Sequence, residues 1–208
     1  MKAPEGLFIT FEGCEGAGKS TLIVQVFDAL VKRGFDVIKT REPGGSLIGQ
    51  EIRTLLLNSS TLSPRTEVLL FLADRAEHVH SVILPALQMN KIVLCDRYTD
   101  STLAYQGVAR GLDVSQICHF AAHELEPHLT LYLDIDPSVG LSRIQRKKDR
   151  MESEGSHFHE KVREGFLNLA KNHEDRIITL DASHPIDIVF KLAMEAINAK
   201  LDDVICPM

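Results

Sequence analysis

The chain has 208 residues, of which 44% are hydrophobic and 25% are charged, and this is the composition of an ordinary globular protein. The length predicts one compact α/β domain over residues 1–200, followed by a flexible tail at 201–208. The net charge of −6, from 23 basic and 29 acidic residues, argues against a protein that coats nucleic acid, because such proteins present basic surfaces.

The cysteines and the hydropathy pattern favour a cytoplasmic protein. The four cysteines are scattered and form no C-x-x-C pair, so neither a disulfide framework nor a zinc motif is indicated. The first residues lack the cleavage site of a signal peptide, and no apolar run is long enough to span a membrane. We therefore expect reduced thiols and no membrane partner.

Apolar segments that alternate with helical patterns predict a parallel sheet with helices on both faces. The predicted strands are Leu7–Phe11, Val37–Thr40, Ile92–Cys95, Leu129–Leu133 and Ile177–Leu180. The predicted helices are Lys19–Lys32, Ser46–Leu57, Pro64–Gln88, Val114–Glu124, Pro137–Lys147, Phe158–His173 and Pro185–Lys200. Ligands bind at the carboxyl ends of such strands, so the residues directly after each strand are the first candidates for a site.

The segment after the first predicted strand matches the pattern G-x-x-x-x-G-K-S/T, with the residues Gly13-Cys14-Glu15-Gly16-Ala17-Gly18-Lys19-Ser20. A strand before this pattern and a helix after it are the context in which it binds phosphate. The glycines let backbone N–H groups converge on the phosphates, and the helix N-terminus adds positive potential. The pattern, together with Thr21, predicts a nucleoside triphosphate site in which Lys19 reaches the β- and γ-phosphates and Ser20 binds Mg²⁺.

A carboxylate follows the third and the fourth predicted strand, and either one could complete the magnesium site. Asp96 matches the Walker-B role, which is to hold Mg²⁺ together with Ser20. Asp134 competes on the same argument, and each carboxylate could instead cap the next helix. We favour Asp96, because the arginine beside it is unusual at a strand end.

Two arginines at strand ends indicate a second anionic substrate. Arg97 follows the third strand and Arg41 follows the second, and an arginine fork matches phosphate oxygens bidentately. The alternative for Arg97 is a salt bridge to an acidic side chain. Gly44 and Gly45, close behind Arg41, would let the backbone approach a ligand closely.

A basic group near the middle of the second half of the chain predicts a lid. Arg143, Arg146, Lys147 and Arg150 are spaced to share one face of a helix, and Gly155 follows as flexible backbone. A charged face is often only solvated. Phosphoryl transfer is nevertheless stabilised by positioned cations, so we predict a closing lid over residues 143–157 that carries a catalytic arginine.

Two further features concern a base and a thiol. Phe71 and Arg75 lie one turn apart on a predicted helix, where they could stack on a base and read its edge, although such a phenylalanine is more often core. Cys14 lies beside Lys19 and a helix N-terminus, which predicts a lowered thiol pKa and inactivation by alkylation that ATP would prevent; an inert, buried thiol is the alternative.

Taken together, these segments resemble the thymidylate kinase family, the P-loop kinases that phosphorylate dTMP to dTDP. The most specific match is the family signature, Asp96-Arg97-Tyr98-Thr99-Asp100-Ser101-Thr102-Leu103-Ala104-Tyr105-Gln106-Gly107. The other matching motifs are Glu12–Ser20, Arg41-Glu42-Pro43-Gly44-Gly45, Phe71-x-x-x-Arg75 and the lid motif Asp149-Arg150-x-Glu152. The resemblance covers nearly the whole chain and implies the fold of the P-loop nucleoside monophosphate kinases, with about five parallel strands and a small lid.

The resemblance also implies where dTMP binds. Phe71 would stack on thymine, Arg75 would donate to O4 of the base, and Thr102 would face N3. Tyr105 would lie against the sugar and disfavour a 2′-hydroxyl, while Glu15 would reach the 3′-hydroxyl. Arg97 would hold the phosphate of dTMP, with Arg41, Glu42 and Pro43 lining the same pocket. Two further residues of the signature are predicted to bind dTMP, namely Ser101 and Gln106.

The glycine loop has no arginine. The resemblance therefore implies the type with its catalytic arginine in the lid, which is common in bacteria. The catalytic residues would be Lys19, Arg97, Arg143, Arg146 and Arg150, with Mg²⁺ and ATP as the donor pair. The loop containing Ala182 would lie beside adenine. A homodimer through the helices of the region 64–88 is also implied.

Two rival functions are kept. A deoxynucleoside kinase would need a general base, which Glu42 could supply, but Arg97 and Arg41 would then crowd a neutral hydroxyl with unpaired cations. A P-loop regulator that binds nucleotide without a small acceptor leaves Phe71, Arg75 and Tyr105 unexplained.

Overall fold

The computed structural model describes residues 6–59, 61–123, 125–146 and 149–205. Within these ranges the strands are β1 (Leu7–Glu12), β2 (Val37–Arg41), β3 (Ile92–Asp96), β4 (Leu129–Asp134) and β5 (Ile177–Asp181). All neighbouring strands pair in parallel, in the order β2-β3-β1-β4-β5. The predicted parallel sheet is confirmed, and the strand that leads into the glycine loop lies at its centre.

Each strand runs one residue beyond its predicted end, and that residue is ionisable in every case: Glu12, Arg41, Asp96, Asp134 and Asp181. Because the strands are parallel, these residues lie along one edge of the sheet, where ligands bind in such folds.

The helices of the described ranges are α1 (Lys19–Lys32), α2 (Leu47–Asn58), α3 (Pro64–His78), α4 (Leu84–Gln88), α5 (Thr99–Thr102), α6 (Ser115–Ala121), α7 (Pro137–Ser142), α8 (Ser156–Asn172) and α9 (Ile186–Ile205). A π-helical turn, Val79–Ile83, joins α3 to α4, so the predicted helix 64–88 is one helical stretch. A second π-helical segment, Leu103–Ala109, continues α5. The predicted helix Val114–Glu124 is observed only as α6, and Glu124 lies outside the described residues.

The helical segment 99–109, which contains most of the family signature, was not predicted from the sequence. Its start has no side-chain cap from its own N-cap residue, Tyr98. Instead Glu12, at the end of β1, accepts hydrogen bonds from the backbone N–H groups of Tyr98 at 2.7 Å and Ser101 at 3.3 Å. A cap supplied from a distant strand leaves no local sequence signal.

The predicted helix Pro137–Lys147 is wrong beyond Ser142, where α7 ends. The lid arginines therefore do not share one helical face, and Lys147 lies outside the described residues. At the other end of the chain, α9 continues through Ile205 with Leu201 only 4% exposed, so the segment predicted as a flexible tail begins as helix. Residues 206–208 lie outside the described ranges.

The central strand separates two hydrophobic clusters because its side chains alternate between the two faces of the sheet. Leu7, Ile9 and Phe11 pack with α1 and α9, whereas Phe8 packs with the region around the π-helical turn 79–83. Thr10 and Glu12, also buried, alternate with them and share the face of Phe8. No helix in the described part of the chain is long and apolar enough to cross a membrane.

Candidate active site

Glycines shape the loop between β1 and α1. Gly13, Gly16 and Gly18 have φ angles of 139°, 72° and 94°, which side-chain-bearing residues rarely adopt. A Cβ on Gly16 would lie 1.9 Å from the carbonyl oxygen of Gly140. Glycine at this position therefore lets the loop pack directly against α7, a contact that the sequence analysis did not anticipate.

Lys19, the first residue of α1, is held inside this loop. It is 7% exposed, and its Nζ donates hydrogen bonds to the carbonyl oxygens of Gly13 at 2.9 Å and Cys14 at 2.8 Å. Burial, and then the charge of Arg97, lower the pKa of Lys19. Backbone acceptors thus fix the amine next to any anion that the loop N–H groups would bind.

The two residues predicted to bind metal lie side by side. The hydroxyl of Ser20 donates to Oδ2 of Asp96 at 3.0 Å. The competing carboxylate, Asp134, instead accepts two hydrogen bonds of 2.8 Å from Arg163 and one of 2.8 Å from the hydroxyl of Tyr132. The geometry therefore favours Asp96, and a hydroxyl beside a carboxylate is a donor set that suits a hard cation such as Mg²⁺.

The structure contradicts the expected reactivity of Cys14. Its side chain belongs to a hydrophobic cluster with Tyr132 and Phe166 and is 2% exposed. Burial, and then the charge of Glu15, raise the pKa of the thiol to about 12. The prediction of a lowered pKa was wrong because desolvation outweighs the attraction of Lys19.

One cleft brings most of the predicted residues together. From the phosphate loop and the ends of β2 and β3 it is lined by Glu15, Gly16, Lys19, Ser20, Glu42, Pro43, Asp96 and Arg97. From the helices and the lid it is lined by Phe71, Arg75, Ser101, Thr102, Tyr105, Gln106 and Arg146. The donor loop and most of the residues predicted for dTMP therefore face a common space.

Arg97 is fixed in this cleft by side chains. Its φ angle is 71°, an unusual conformation for an arginine. The guanidinium donates to Glu15 Oε1 at 2.9 Å and to the hydroxyl of Ser101 at 3.1 Å, and it lies 5.1 Å from the ring centroid of Tyr105. The salt bridge considered as an alternative therefore exists, and the same arginine also lines the cleft.

Glu15 connects the loop to the signature segment. Besides the bond from Arg97, it accepts one of 2.6 Å from the hydroxyl of Tyr105. Burial alone would raise the pKa of Glu15, but Arg97 and the neighbouring donors hold that pKa well below its usual range. Glu15 is therefore a carboxylate, and its position is set by the two residues that the resemblance assigns to the phosphate and sugar of dTMP.

Glu42 is the centre of a buried chain of hydrogen bonds. Arg75 Nε donates to Glu42 Oε2 at 2.8 Å, and the ring of His78 contacts Glu42 Oε1 at 2.9 Å. His78 is bonded in turn to the hydroxyl of Thr40 at 2.6 Å, and Arg75 also donates to the carbonyl of Tyr98 at 2.9 Å. Sequence reasoning missed His78, because nothing in its helical spacing marks it as a partner of a loop carboxylate.

One arginine predicted for the cleft does not line it, and another that does was not predicted. Arg41, predicted to bind dTMP, is exposed at the end of β2 and is not among the residues that line the cleft. Arg53 of α2 does line it, and its Nη1 donates to the carbonyl of Pro43 at 2.8 Å. Burial, and then the charge of Arg41, lower the pKa of Arg53.

The lid arginines occupy different places. Arg143 makes long contacts of 3.4 Å with the carbonyl oxygens of Gly16 and Ala182, which places it beside the phosphate loop and the loop after β5. Arg146 lines the cleft and is paired with Glu152 at 2.6 and 2.9 Å. Arg150 is turned instead toward Glu67, a buried residue of α3 that the sequence analysis did not single out.

Glu12 organises the start of the signature segment. In addition to the two backbone bonds described above, it accepts one of 2.6 Å from the hydroxyl of Ser101. Burial, and then the charge of Asp100, raise the pKa of Glu12 to about 7. Since Ser101 also contacts Arg97, the carboxyl group of Glu12 indirectly supports the arginine of the cleft.

Comparisons with known proteins agree on one family. The family model described as "Thymidylate kinase" matches residues 11–193. The chain is 47% identical to a thymidylate kinase of Geobacillus sp. (strain WCH70), over 95% of this chain and 99% of the relative. It is 46% identical to one of Protochlamydia amoebophila, over 96% and 95%. The crystal structure of thymidylate kinase from Ehrlichia chaffeensis superimposes with a TM-score of 0.78 at 32% identity, covering 92% of this chain and 98% of that one.

Proposed function

The chain belongs to the thymidylate kinase family and phosphorylates dTMP to dTDP, and we propose that it holds ATP on the phosphate loop and dTMP in the adjoining cleft. The observation that carries this proposal is that Arg97, fixed by Glu15 and Ser101, lines the same cleft as Lys19. Lys19 is thus available for the phosphates of ATP and Arg97 for the phosphate of dTMP, the two groups that meet during the transfer.

On the donor side, we assign the ATP phosphates to the loop N–H groups and Lys19, and the adenine to the loop containing Ala182. Ser20 and Asp96 are the residues that would hold Mg²⁺, which usually takes only one or two protein ligands in such sites. When bound, Mg²⁺ neutralises charge on the phosphates of ATP. Arg143, which contacts Gly16 and Ala182, would lie between the sites proposed for the phosphates and the adenine and would stabilise bound ATP.

On the acceptor side, Arg97 and Arg53 would bind the phosphate of dTMP. Arg53 takes the place that the sequence analysis gave to Arg41, because it lines the cleft. Glu42 and Pro43 form the wall beside it. An arginine fork bound to a phosphate dianion forms charge-assisted hydrogen bonds, which are among the strongest that a site can offer.

For the nucleoside of dTMP, we propose that Phe71 stacks on thymine and that Arg75 and Thr102 face its polar edge. These three residues line the cleft, and the first two lie one turn apart on α3. Tyr105 and Glu15, joined by a hydrogen bond of 2.6 Å, would meet the sugar. Tyr105 would exclude a 2′-hydroxyl, and the carboxylate of Glu15 would accept a hydrogen bond from the 3′-hydroxyl.

Catalysis then consists of alignment and charge neutralisation. A phosphate monoester with a second pKa near 6 is mostly dianionic at neutral pH, so its attack needs no general base. Lys19 would stay in contact with the phosphoryl group during its transfer, and Arg146 would contact that group from the lid. We assign this role to Arg146 because, of the three lid arginines, it is the one that lines the cleft.

A deoxynucleoside kinase is not favoured. The general base it would need, Glu42, is already engaged with Arg75 and His78, both buried. A regulator without a small acceptor is disfavoured too, because Phe71, Arg75 and Tyr105 meet in the cleft next to the phosphate loop.

We also propose a homodimer formed through α3 and α6. Leu69 on α3 and Phe120 on α6, two neighbouring helices, are 61% and 84% exposed, so they offer apolar surface that a partner subunit could cover. The cytoplasmic location stays a prediction from the sequence.

The test of the proposed acceptor is an assay of ADP release with ATP and Mg²⁺ against dTMP, dUMP, dCMP and thymidine. We expect turnover to be highest with dTMP. With thymidine we expect negligible turnover, because it has no phosphate group for the arginines to bind. Equal rates with thymidine and dTMP would contradict the assignment of Arg97 and Arg53.

A further inference from the structure

Glu67, in the first turn of α3, is a buried carboxylate that the proposed mechanism does not use. It is 1% exposed, and its oxygens accept hydrogen bonds from Gln106 Nε2 at 2.9 Å, Arg110 Nη2 at 3.2 Å and Arg150 Nη1 at 2.5 Å. Burial alone would raise the pKa of Glu67, but the bonds from Gln106 and the two arginines hold it below its usual value. Glu67 is therefore charged, with donors on both oxygens.

The partners of Glu67 extend its reach to the lid and to α2. Arg150 also donates from Nε to the carbonyl of Leu56 at 2.9 Å. Arg110 also donates to Glu154 at 2.6 Å, and its guanidinium lies 4.6 Å from the ring centroid of Phe158. One carboxylate thus connects α2, α3, the helical segment 99–109 and the lid.

This cluster adjoins the acceptor part of the cleft. Glu67 lies one helical turn before Phe71, so the two side chains share a face of α3. Gln106 lines the cleft next to Tyr105. On the lid, Met151 and Glu152 line the cleft directly after Arg150. Of the partners of Glu67, Gln106 therefore lines the cleft itself and Arg150 is adjacent to residues that do. Arg110 does not line the cleft but connects Glu67 to the lid.

We propose that Glu67 is a positioning residue for the acceptor site. It fixes Gln106 against α3, which sets the spacing of two walls of the cleft, and it anchors the lid through Arg150. The proposal rests on the proposed function insofar as the cleft takes dTMP. It gives Arg150 a positioning role in place of the catalytic role predicted from the sequence, and it leaves Arg146 as the lid arginine that meets the phosphates.

The first test is Glu67→Gln, which keeps the shape of the side chain and removes its charge. Kinetics well below the unfolding temperature should show the KM for dTMP rising about tenfold or more, with the KM for ATP within about twofold of the parent. The matched control is Glu77→Gln, the same exchange at a partly exposed position of α3, which should leave both constants unchanged. A variant with a lowered Tm but parental KM and kcat would show that Glu67 only stabilises the fold, and would overturn the proposal.

The second test is a double-mutant cycle between Glu67→Gln and Arg150→Ala. If Glu67 acts partly through Arg150, the double variant should lose less dTMP kcat/KM than the product of the two single losses. The proposal is overturned if the loss in the double variant equals the product of the two single losses. It is also overturned if Arg150→Ala lowers kcat but keeps a parental KM for dTMP. If Glu67→Gln does not fold, the KM of Arg150→Ala for dTMP is the deciding measurement: a raised KM supports the proposal and a parental KM overturns it. A parent that turns over thymidine as well as dTMP would contradict the proposed acceptor site but not the coupling between these two residues.

Discussion

The phosphate loop and the acceptor cleft adjoin each other but hold their charged groups in different ways. In the loop, backbone carbonyl oxygens hold the amine of Lys19. In the cleft and its surroundings, carboxylates hold the arginines: Glu15 holds Arg97, Glu42 holds Arg75, Glu152 holds Arg146 and Glu67 holds Arg150.

This difference determines what a substitution does. A loop built from backbone depends on conformations and close approaches that only glycine allows. A cleft built from ion pairs depends on the arginines, because removing one leaves a buried carboxylate such as Glu42, Glu67 or Glu152 without its partner. We therefore expect charge removal to be most damaging in the cleft, and added volume to be most damaging at the loop.

The largest effect is expected for Arg97→Ala. Loss of the charged anchor for the acceptor phosphate should weaken dTMP binding by about 2–4 kcal/mol, or roughly 30- to 1,000-fold, while ATP binding is retained. Isothermal titration with each nucleotide measures both affinities.

The contrasting variant is Arg41→Ala, at the end of the neighbouring strand but exposed. We expect it to lose less than about fivefold in dTMP affinity, because an exposed charge contributes little. A normal dTMP affinity for Arg97→Ala would remove the basis of the acceptor assignment.

The next effect in size is that of Arg146→Ala. Removing a cation that acts mainly on transition-state charge should lower kcat about 10- to 100-fold and change each KM by less than about threefold. Steady-state kinetics on this variant and on Arg143→Ala separate the two roles, because Arg143 should mainly raise the KM for ATP. If kcat stays within about twofold of the parent for Arg146→Ala, the lid mechanism is wrong.

The sequence predicted the parts of this enzyme whose signals are local. The strands, the glycine loop and the chemistry at the strand ends follow from short patterns, and the proximity of Ser20 to Asp96 follows from the Walker-B role of a carboxylate at a strand end. The residues that line the cleft were largely identified through the family resemblance.

The missed residues have partners that are far away in sequence. Glu67 lies 83 residues before Arg150, and His78 lies 36 residues after Glu42. The predicted lid helix is wrong for a related reason: Arg143 and Arg150 bond to distant partners, Gly16 and Glu67, and Arg146 bonds to Glu152 of the lid, so none of the three follows the helical spacing. Periodicity describes which side chains could share a face, and it contains no information about which distant carboxylate each one meets.

A smaller effect is expected for Gly140→Ala, which tests the loop itself. A Cβ on Gly140 would lie 2.3 Å from the carbonyl oxygen of Glu15, so the loop must shift. We expect this shift to displace the loop N–H groups and to raise the KM for ATP roughly five- to thirtyfold, which corresponds to about 1–2 kcal/mol of lost binding. The control is Gly155→Ala, where a Cβ meets nothing within 4 Å. Parental kinetics for Gly140→Ala would mean that α7 does not position the loop.

The smallest expected effect concerns Cys14, where burial and loop electrostatics compete. The positive charge of Lys19 favours a thiolate, but a thiol that is 2% exposed with a pKa of about 12 is almost entirely protonated near pH 8. Iodoacetamide should therefore modify Cys14 far more slowly than a free cysteine, and ATP with Mg²⁺ should not change the rate. Peptide mapping by mass spectrometry measures that rate, with Cys14→Ser as the control for loss of activity. Rapid labelling of Cys14 that ATP prevents would show that the thiol reaches solvent and that the loop opens when it is empty.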